Sequence, residues 1–416
     1  MMERKQPIQI DGRQVFMMRI VNLMILGMAA CPGLLTCASA RNLPVTDAAQ
    51  LQRAVEEAKP GDTILIAPGR YAMRLIFTAQ NSGTENAPVV LRPRDGAGSV
   101  VIDSRETGAD MTVKFTGASH IQLEGLDITG GGYHGVFFTE GAHHILLLKN
   151  RIYDNFTVQP LNSHAEVKGS GPRDNRPRRI TLADNEIFHT THPPGGNFQG
   201  IDCNFCDDFR IVENYIHDIR NPSETRHSRF DRGSCIQMKS ASTSVVIERN
   251  RIANCHIGVV YGGEGRASPE HIGGIVRNNI ITGAAEFGVA IVNVSGGKVM
   301  HNTFYGNRQS IAVFRDSRNP DSRNDVIVAN NLLDTPLHQD NAQDSIRRQA
   351  NPVVAPGDGA GVFRDPGAGD FRLFPGASAF IDAGVYTGND EVQEDFAGTR
   401  RPLGGGPDIG AFEHSP

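Results

Sequence analysis

Tryptophan is absent from the sequence, and aromatic residues make up only 6% of it. Long Leu-, Ala-, Glu- and Lys-rich stretches, which extended amphipathic helices require, are lacking as well, while Gly reaches 46. This composition argues against a helical protein. An excess of positive charge is also missing: the formal net charge of -5 excludes a general nucleic-acid binder but leaves room for local basic patches. Beyond the N-terminus no apolar run is long enough to span a bilayer, which excludes stable membrane insertion. Cysteine is scarce, at 6 residues, and a chain of 416 residues buries enough core to need no covalent staples.

The N-terminus has the features of an export signal. Arg13 and Arg19 flank the apolar run Val21-Asn-Leu-Met-Ile-Leu-Gly-Met-Ala-Ala30, and Ala38-Ser-Ala40 supplies the small residues of a cleavage site. Cleavage after Ala40 is expected, with lipidation at Cys31 or Cys37 as the alternative, and a periplasmic or secreted location follows. Four cysteines then remain: Cys203, Cys206, Cys235 and Cys255. In an oxidising compartment they can pair, and buried free thiols are the other reading. The Cys203-x-x-Cys206 spacing is a weak zinc signal, because Cys235 and Cys255 lack a second close pair.

Thr46–Lys59 reads as an amphipathic helix capped by Thr46 or Asp47, with Leu51, Ala54, Val55 and Ala58 on one face. The helix and the following Pro60-Gly61-Asp62-Thr63-Ile64 and Pro68-Gly69-Arg70-Tyr71 resemble the start of secreted right-handed parallel β-helix proteins. That resemblance implies a cap over the open first coil. Short Val/Ile-rich runs ending in Asn then recur, at Asn150, Asn185, Asn214, Asn250, Asn278, Asn302 and Asn330, spaced 35, 29, 36, 28, 24 and 28 residues apart. Recurrence on this scale means a solenoid, and runs this short are strands. The expected fold is therefore all-β, a right-handed single-stranded parallel β-helix, with an Asn stacked at an αL corner of each coil. Residues 1–40 read as the signal, 41–80 as the cap helix and first coil, 81–340 as the β-helix, and 341–416 as a capping segment. The tail from Glu394 resembles the closing motif of secreted β-helices, and a monomer is expected.

The two longest spacings hold basic insertions. Lys168, Arg173, Arg176, Arg178 and Arg179 stand against Asp174 alone, and Arg220, Arg226, Arg229 and Arg232 against Glu224 and Asp231. On an acidic chain, two such insertions suggest a groove for a polyanion; solvated loops paired with neighbouring acids are the simpler alternative. His164, His217 and His227 sit among them.

Lys239 lies 11 residues before Asn250, where alignment on the Asn corners puts Thr139 and Cys203 in sister coils. Ser240, Ser242 and Ser244 mark a turn after it, so Lys239 is expected to point outward beside the Arg226–Arg232 loop. Nearby arginines are expected to depress its pKa, favouring the neutral amine of a base. The stretch Ile236–Gly265 is similar to the Lys-Ser coil of chondroitinase-B-like and alginate lyases with a β-helix fold. The resemblance implies Lys239 as general base at C5 of a uronic acid. Tyr261 stands where those enzymes carry an arginine, and resembles the acid of another alginate lyase group. His164 and His217 are alternative acid/base groups.

The implied reaction is β-elimination on an anionic polysaccharide, with arginines or Ca2+ neutralising the uronate carboxylate. Arg226, Arg229, Arg232, Lys168 and Arg173 are candidate substrate contacts, and Glu264 a group that orients an arginine. No cofactor other than Ca2+ is indicated. Ca2+ is possible through Asp202, Asp207 and Asp208, with Glu213 as a further oxygen donor, although Asp207-Asp208 also reads as a turn. A uronan C5-epimerase uses the same proton abstraction, and a β-helix that only binds glycan is the non-catalytic alternative. A glycoside hydrolase would need paired carboxylates, for which Asp202, Asp207 and Asp208 form the nearest set.

Overall fold

The computed structural model describes residues 40–158, 163–193, 195–223, 229–265, 267–355, 357–388 and 392–415. The expected signal peptide and Arg226 lie outside the described residues. No helix among the described residues is long and apolar enough to cross a membrane.

The strands form three parallel sheets, here called A, B and C, with 14, 9 and 10 strands among the described residues. Each coil contributes one strand to C, then one to A, then one to B; His134–Thr139, His143–Leu148 and Arg151–Tyr153 make up one such coil. Strands pair with the equivalent strand one coil away, so like residues stack. In sheet B, Ile102, Ile128, Ile152, Ile187, Ile216, Ile252 and Ile281 form one continuous column. In sheet C the column is Val113, Val136, Val167, Ile201, Ile236, Val259 and Val289. All are essentially unexposed, and each such side chain contributes roughly 1.5–3 kcal/mol by leaving water.

The Asn recurrence is a buried hydrogen-bonded ladder. Its members are Asn150, Asn185, Asn214, Asn250, Asn279, Asn302, Asn331 and Asn351. At Asn214, Oδ1 accepts the Asn185 backbone N–H at 3.0 Å and its Nδ2 at 2.9 Å, while Nδ2 donates to the Leu182 carbonyl at 2.9 Å. Two expected members are therefore corrected. Asn278 and Asn330 are the αL residues, φ 52° and 56°, that precede Asn279 and Asn331, as Lys149, Asp184, Glu213 and Arg249 precede the ladder in other coils. The αL bend and the ladder are the work of two successive residues, and the Asn-Asn pairs concealed this.

The helix is shorter than expected, Ala48–Glu56, with Asp47 accepting from the Gln50 backbone N–H at 2.8 Å as its N-cap. Leu51 and Val55 are buried against the first coil. At the far end the strand Ser345–Gln349 still pairs with sheet A and Asn351 closes the ladder, so the β-helix passes residue 340. The tail runs back along the flank of several coils. Arg401 forms a buried pair with Glu413 at 2.5 Å and donates to Asn278 Oδ1, and the Gly410 N–H bonds the Asn330 carbonyl. It is a lateral strap more than a lid on the last coil.

Both cysteine pairs are disulfides, Cys203–Cys206 and Cys235–Cys255, which removes the zinc reading. Gly169, one coil before Cys203, leaves the space that Cys206 fills: a Cβ there would lie 2.5 Å from its Sγ.

Candidate functional site

The outer face of sheet C carries the charged group that the β-helix organises. Strand alternation sends Val167, Ile201 and Ile236 inward, so Lys168, Asp202 and Gln237, directly opposite one another on three consecutive coils, face out. Lys239, two residues after Gln237, shares that face and pairs with Asn204 in register. Cys203, expected opposite Lys239, instead pairs with Met238 and points inward. The turn between Cys203 and Asn214 is shorter than the one between Met238 and Asn250, and counting back from the Asn hid this.

Lys168 Nζ forms an ion pair with Asp202 Oδ2, with side-chain exposures of 12% and 1%. Lys239 Nζ donates to Asp231 Oδ1 at 3.2 Å. Burial alone would lower the Lys239 pKa, but Asp202, Asp231 and Glu270 outweigh it and raise the pKa above the ordinary lysine value. The expectation of a depressed pKa is thus corrected: the loop before the strand offers Lys239 an acid. Asp202 is pushed up by burial and pulled further down by Lys168 and Lys239, so its carboxylate ends below its usual range. Asp202 Oδ1 and Gln237 Oε1 are buried and have no hydrogen-bond partner among the described residues.

Local sequence fixes these positions. Phe230 packs on an apolar outer patch of sheet C formed by Ile257, Val260, Ala290 and Ala312, which anchors the short 3-10 segment Arg229–Asp231 and brings Asp231 over Lys239. Ser240 and Ala241 adopt αL backbone, the Ser240 N–H donates to Glu270 Oε2 at 2.6 Å, and Ser242 Oγ donates to the Lys239 carbonyl at 2.6 Å. Gly263 lies against the lysine stem; a Cβ there would come within 3.3 Å of Lys239 Cβ. His134, on an earlier strand of the sheet, feels Lys168 and Asp202. Burial, with Lys168 adding to it, lowers its pKa to about 3, and Nδ1 accepts the Ala165 N–H. The neutral ring therefore carries its proton on Nε2 and serves as a donor.

The structure brings together Lys168, Asp202 and Lys239 from the expected set. Tyr261 is separated from them: it points into the core, is 1% exposed, and donates its hydroxyl to the Gly273 carbonyl, so no Lys239–Tyr261 pair shares a groove. His164 is also interior, fully buried beside Phe156, His189 and Phe198, where burial holds its pKa well below normal. His217 lies on sheet B, stacked between Tyr215 and Phe188 and bonded to Asp218 at 2.7 Å.

Arg232 engages Glu286 at 3.6 Å, Arg173 rests over the Phe205 ring, and the Arg229 side chain lies outside the described residues. Glu264 accepts the Ser317 N–H at 3.3 Å and bonds no arginine among the described residues. Asp207 and Asp208 belong to a corner of sheet A, bonded to Thr243 and Arg179, while Glu213 pairs with Arg249. They do not converge with Asp202, so the expected Ca2+ set is not assembled. His134, Gln237 and Glu270 escaped sequence reasoning because no motif marks them; the outward phase of Lys168 and Asp202 was the available signal. Two cavities of about 300 Å3 lie elsewhere, one under the strap near His301 and Tyr386 and one at a corner lined by His189, His192, Asp218 and Arg220. On the Lys239 face, the Lys168 and Lys239 side chains are 12% and 15% exposed.

Stacked parallel coils with an inner Asn ladder define a parallel β-helix protein. A family model described as "Right handed beta helix region" matches residues 95–331, over half of the chain, and the chain belongs to that family. Pectate lyase Pel9A is similar in fold, with a TM-score of 0.57 at 16% identity over 87% of this chain and 90% of that one. An alginate lyase from Paenibacillus sp. str. FPU-7 reaches 0.45 at 16% identity, over 76% and 98%. The GH136 lacto-N-biosidase from Eubacterium ramulus also reaches 0.45, at 10% identity over 76% and 67%. None of the curated proteins matches the chain.

Proposed function

We propose that the protein is an exported polysaccharide lyase that cleaves a uronic-acid-containing chain by β-elimination, with Lys239 as the base. The observation that carries the reading is the row Lys168, Asp202, Gln237 and Lys239 on the outer face of sheet C, where two ammonium groups stand two coils apart with Asp202 on the coil between them. An extended glycan can lie along such a face, one coil being ~4.8 Å in rise. Lys168 and the His134 Nε2–H supply a cationic and a donor group for a uronate carboxylate, whose charge must be offset before its C5 proton becomes acidic. Lys239 in its neutral form takes the C5 proton. The C5–H electron pair forms the C4=C5 double bond, the C4–O bond breaks, and the new Lys239 ammonium returns the proton to the leaving oxygen when both groups lie on one face of the sugar. Arginine and calcium roles are not needed in this scheme. The resemblance of the Ile236–Gly265 coil to β-helix lyases and the fold shared with pectate lyase Pel9A support the reading.

A raised Lys239 pKa requires that activity climb with pH, since only the deprotonated amine acts as base. The same raised pKa favours one alternative, a face that binds an anionic glycan without cutting it. Incubation with alginate, pectate, chondroitin, dermatan sulfate and hyaluronan, followed by ultraviolet absorbance of the unsaturated product, separates the two. Absorbance growth on one of them supports the lyase; tight binding with no absorbance on any of them overturns it.

A further inference from the structure

Three histidines gather on the outside of sheet A, on a different sheet from the Lys239 row. His120 lies in the strand Ser119–Glu124, and His143 and His144 open the strand His143–Leu148 of the next coil, which pairs with it in register. His120 and His144 hold αL backbone, φ 55° and 52°, where non-Gly residues are uncommon. The bend interrupts the in-out alternation, and His143 and His144, though adjacent in sequence, are both half-buried. One ring nitrogen from each of the three lies within 4.8 Å of the other two. The Nδ1 atoms of His143 and His144 are 2.7 Å apart, the His120 ring stacks on His144 at 4.7 Å, and it meets His143 edge-on at 5.7 Å.

We infer that His120, His143 and His144 form a binding site for a late first-row divalent metal ion of the zinc class, joining two coils of the β-helix. Three imidazoles and no oxygen donor suit zinc, copper or nickel and do not suit calcium or magnesium. Three protein ligands leave a fourth position for water. Burial, then Arg178, lowers the His143 pKa to about 4, and burial also lowers that of His144. Arg179 Nη1 lies 3.4 Å from His144 Nε2; ligation through His144 Nδ1 moves that ring's proton to Nε2, which then no longer accepts from Arg179. Arg178 and Arg179 oppose a cation and Glu85 favours it, so the geometry of the imidazoles has to supply the affinity.

The test uses the full-length protein stripped with a chelator and titrated with Zn2+ against a chromophoric competitor. The expected result is one Zn2+ per chain, an affinity at least tenfold weaker in His143→Gln and in His144→Gln, and no displacement by Ca2+. Absence of stoichiometric binding, or affinity unchanged in both variants, overturns the site. A second measurement needs no variant: Zn2+ should protect His120, His143 and His144 together from diethylpyrocarbonate while the exposed His338 stays reactive. Equal labelling of the three with and without Zn2+ overturns it too.

Discussion

Replacing Lys168 by Met isolates the electrostatics on which the candidate site rests. Asp202 is 1% exposed, has one oxygen paired with Lys168 and the other without a partner among the described residues, and sits where water cannot compensate it. Removing one member of a buried pair costs about 3–5 kcal/mol, because the remaining charge stays buried. Asp202→Asn should cost less, about 1–2 kcal/mol, since the Lys168 side chain is 12% exposed and its ammonium can reach solvent. For 416 residues the entropy of unfolding is about 0.9 kcal/mol/K, so Lys168→Met should lower Tm by ~3–6 °C in calorimetry. The double variant should lose less than the two single losses added together. Asp202 is held below its usual pKa, so its contribution is full above pH ~4 and disappears as pH falls through the folded value. A Lys168→Met protein melting within 1 °C of wild type at neutral pH, about a kcal/mol or less on this scale, refutes the reasoning.

Three further predictions follow from the same structure. Tyr261→Phe should leave any lyase activity unchanged and cost ~1 kcal/mol by stranding the Gly273 carbonyl; a large loss of kcat with normal folding would return Tyr261 to the mechanism. Asn250→Ala should destabilise by about 3 kcal/mol, because its amide serves Asn214, Asn279 and the Ile211 carbonyl with no exposure to water; a thermal melt reads this directly. Reduction should lower Tm through the loss of Cys235–Cys255, which closes 20 residues and contributes roughly 3 kcal/mol; calorimetry with and without reductant shows it.

The solenoid was legible because its strongest constraint is chemical. Only a side chain with both a donor and an acceptor can bond the next coil's backbone and its own copy, so Asn returns coil after coil. The off-by-one assignments arose where the sequence offers two Asn in succession, 278–279 and 330–331, and either fits the spacing. The phase of Tyr261 was illegible for a different reason. Val259 and Tyr261 face the core, but Val260 faces out and is covered by Phe230, so the strand is apolar on both sides and alternation leaves no mark. Lys239 stood out as a cation in an apolar run. Its pairing with Asp231 depends on where a loop is anchored, eight residues earlier, and a count of arginines in that loop pointed to the wrong sign. His164 likewise reads as a loop histidine and lies in the core.

The most direct test of the central claim is the pH dependence of product formation in wild type, Lys239→Ala and Asp231→Asn. The account predicts a wild-type rate rising with pH into the alkaline range, no detectable product from a folded Lys239→Ala protein, and a limb moved to lower pH in Asp231→Asn. The last follows because Asp231 is one of the groups that raise the Lys239 pKa. Full activity in Lys239→Ala would contradict the account.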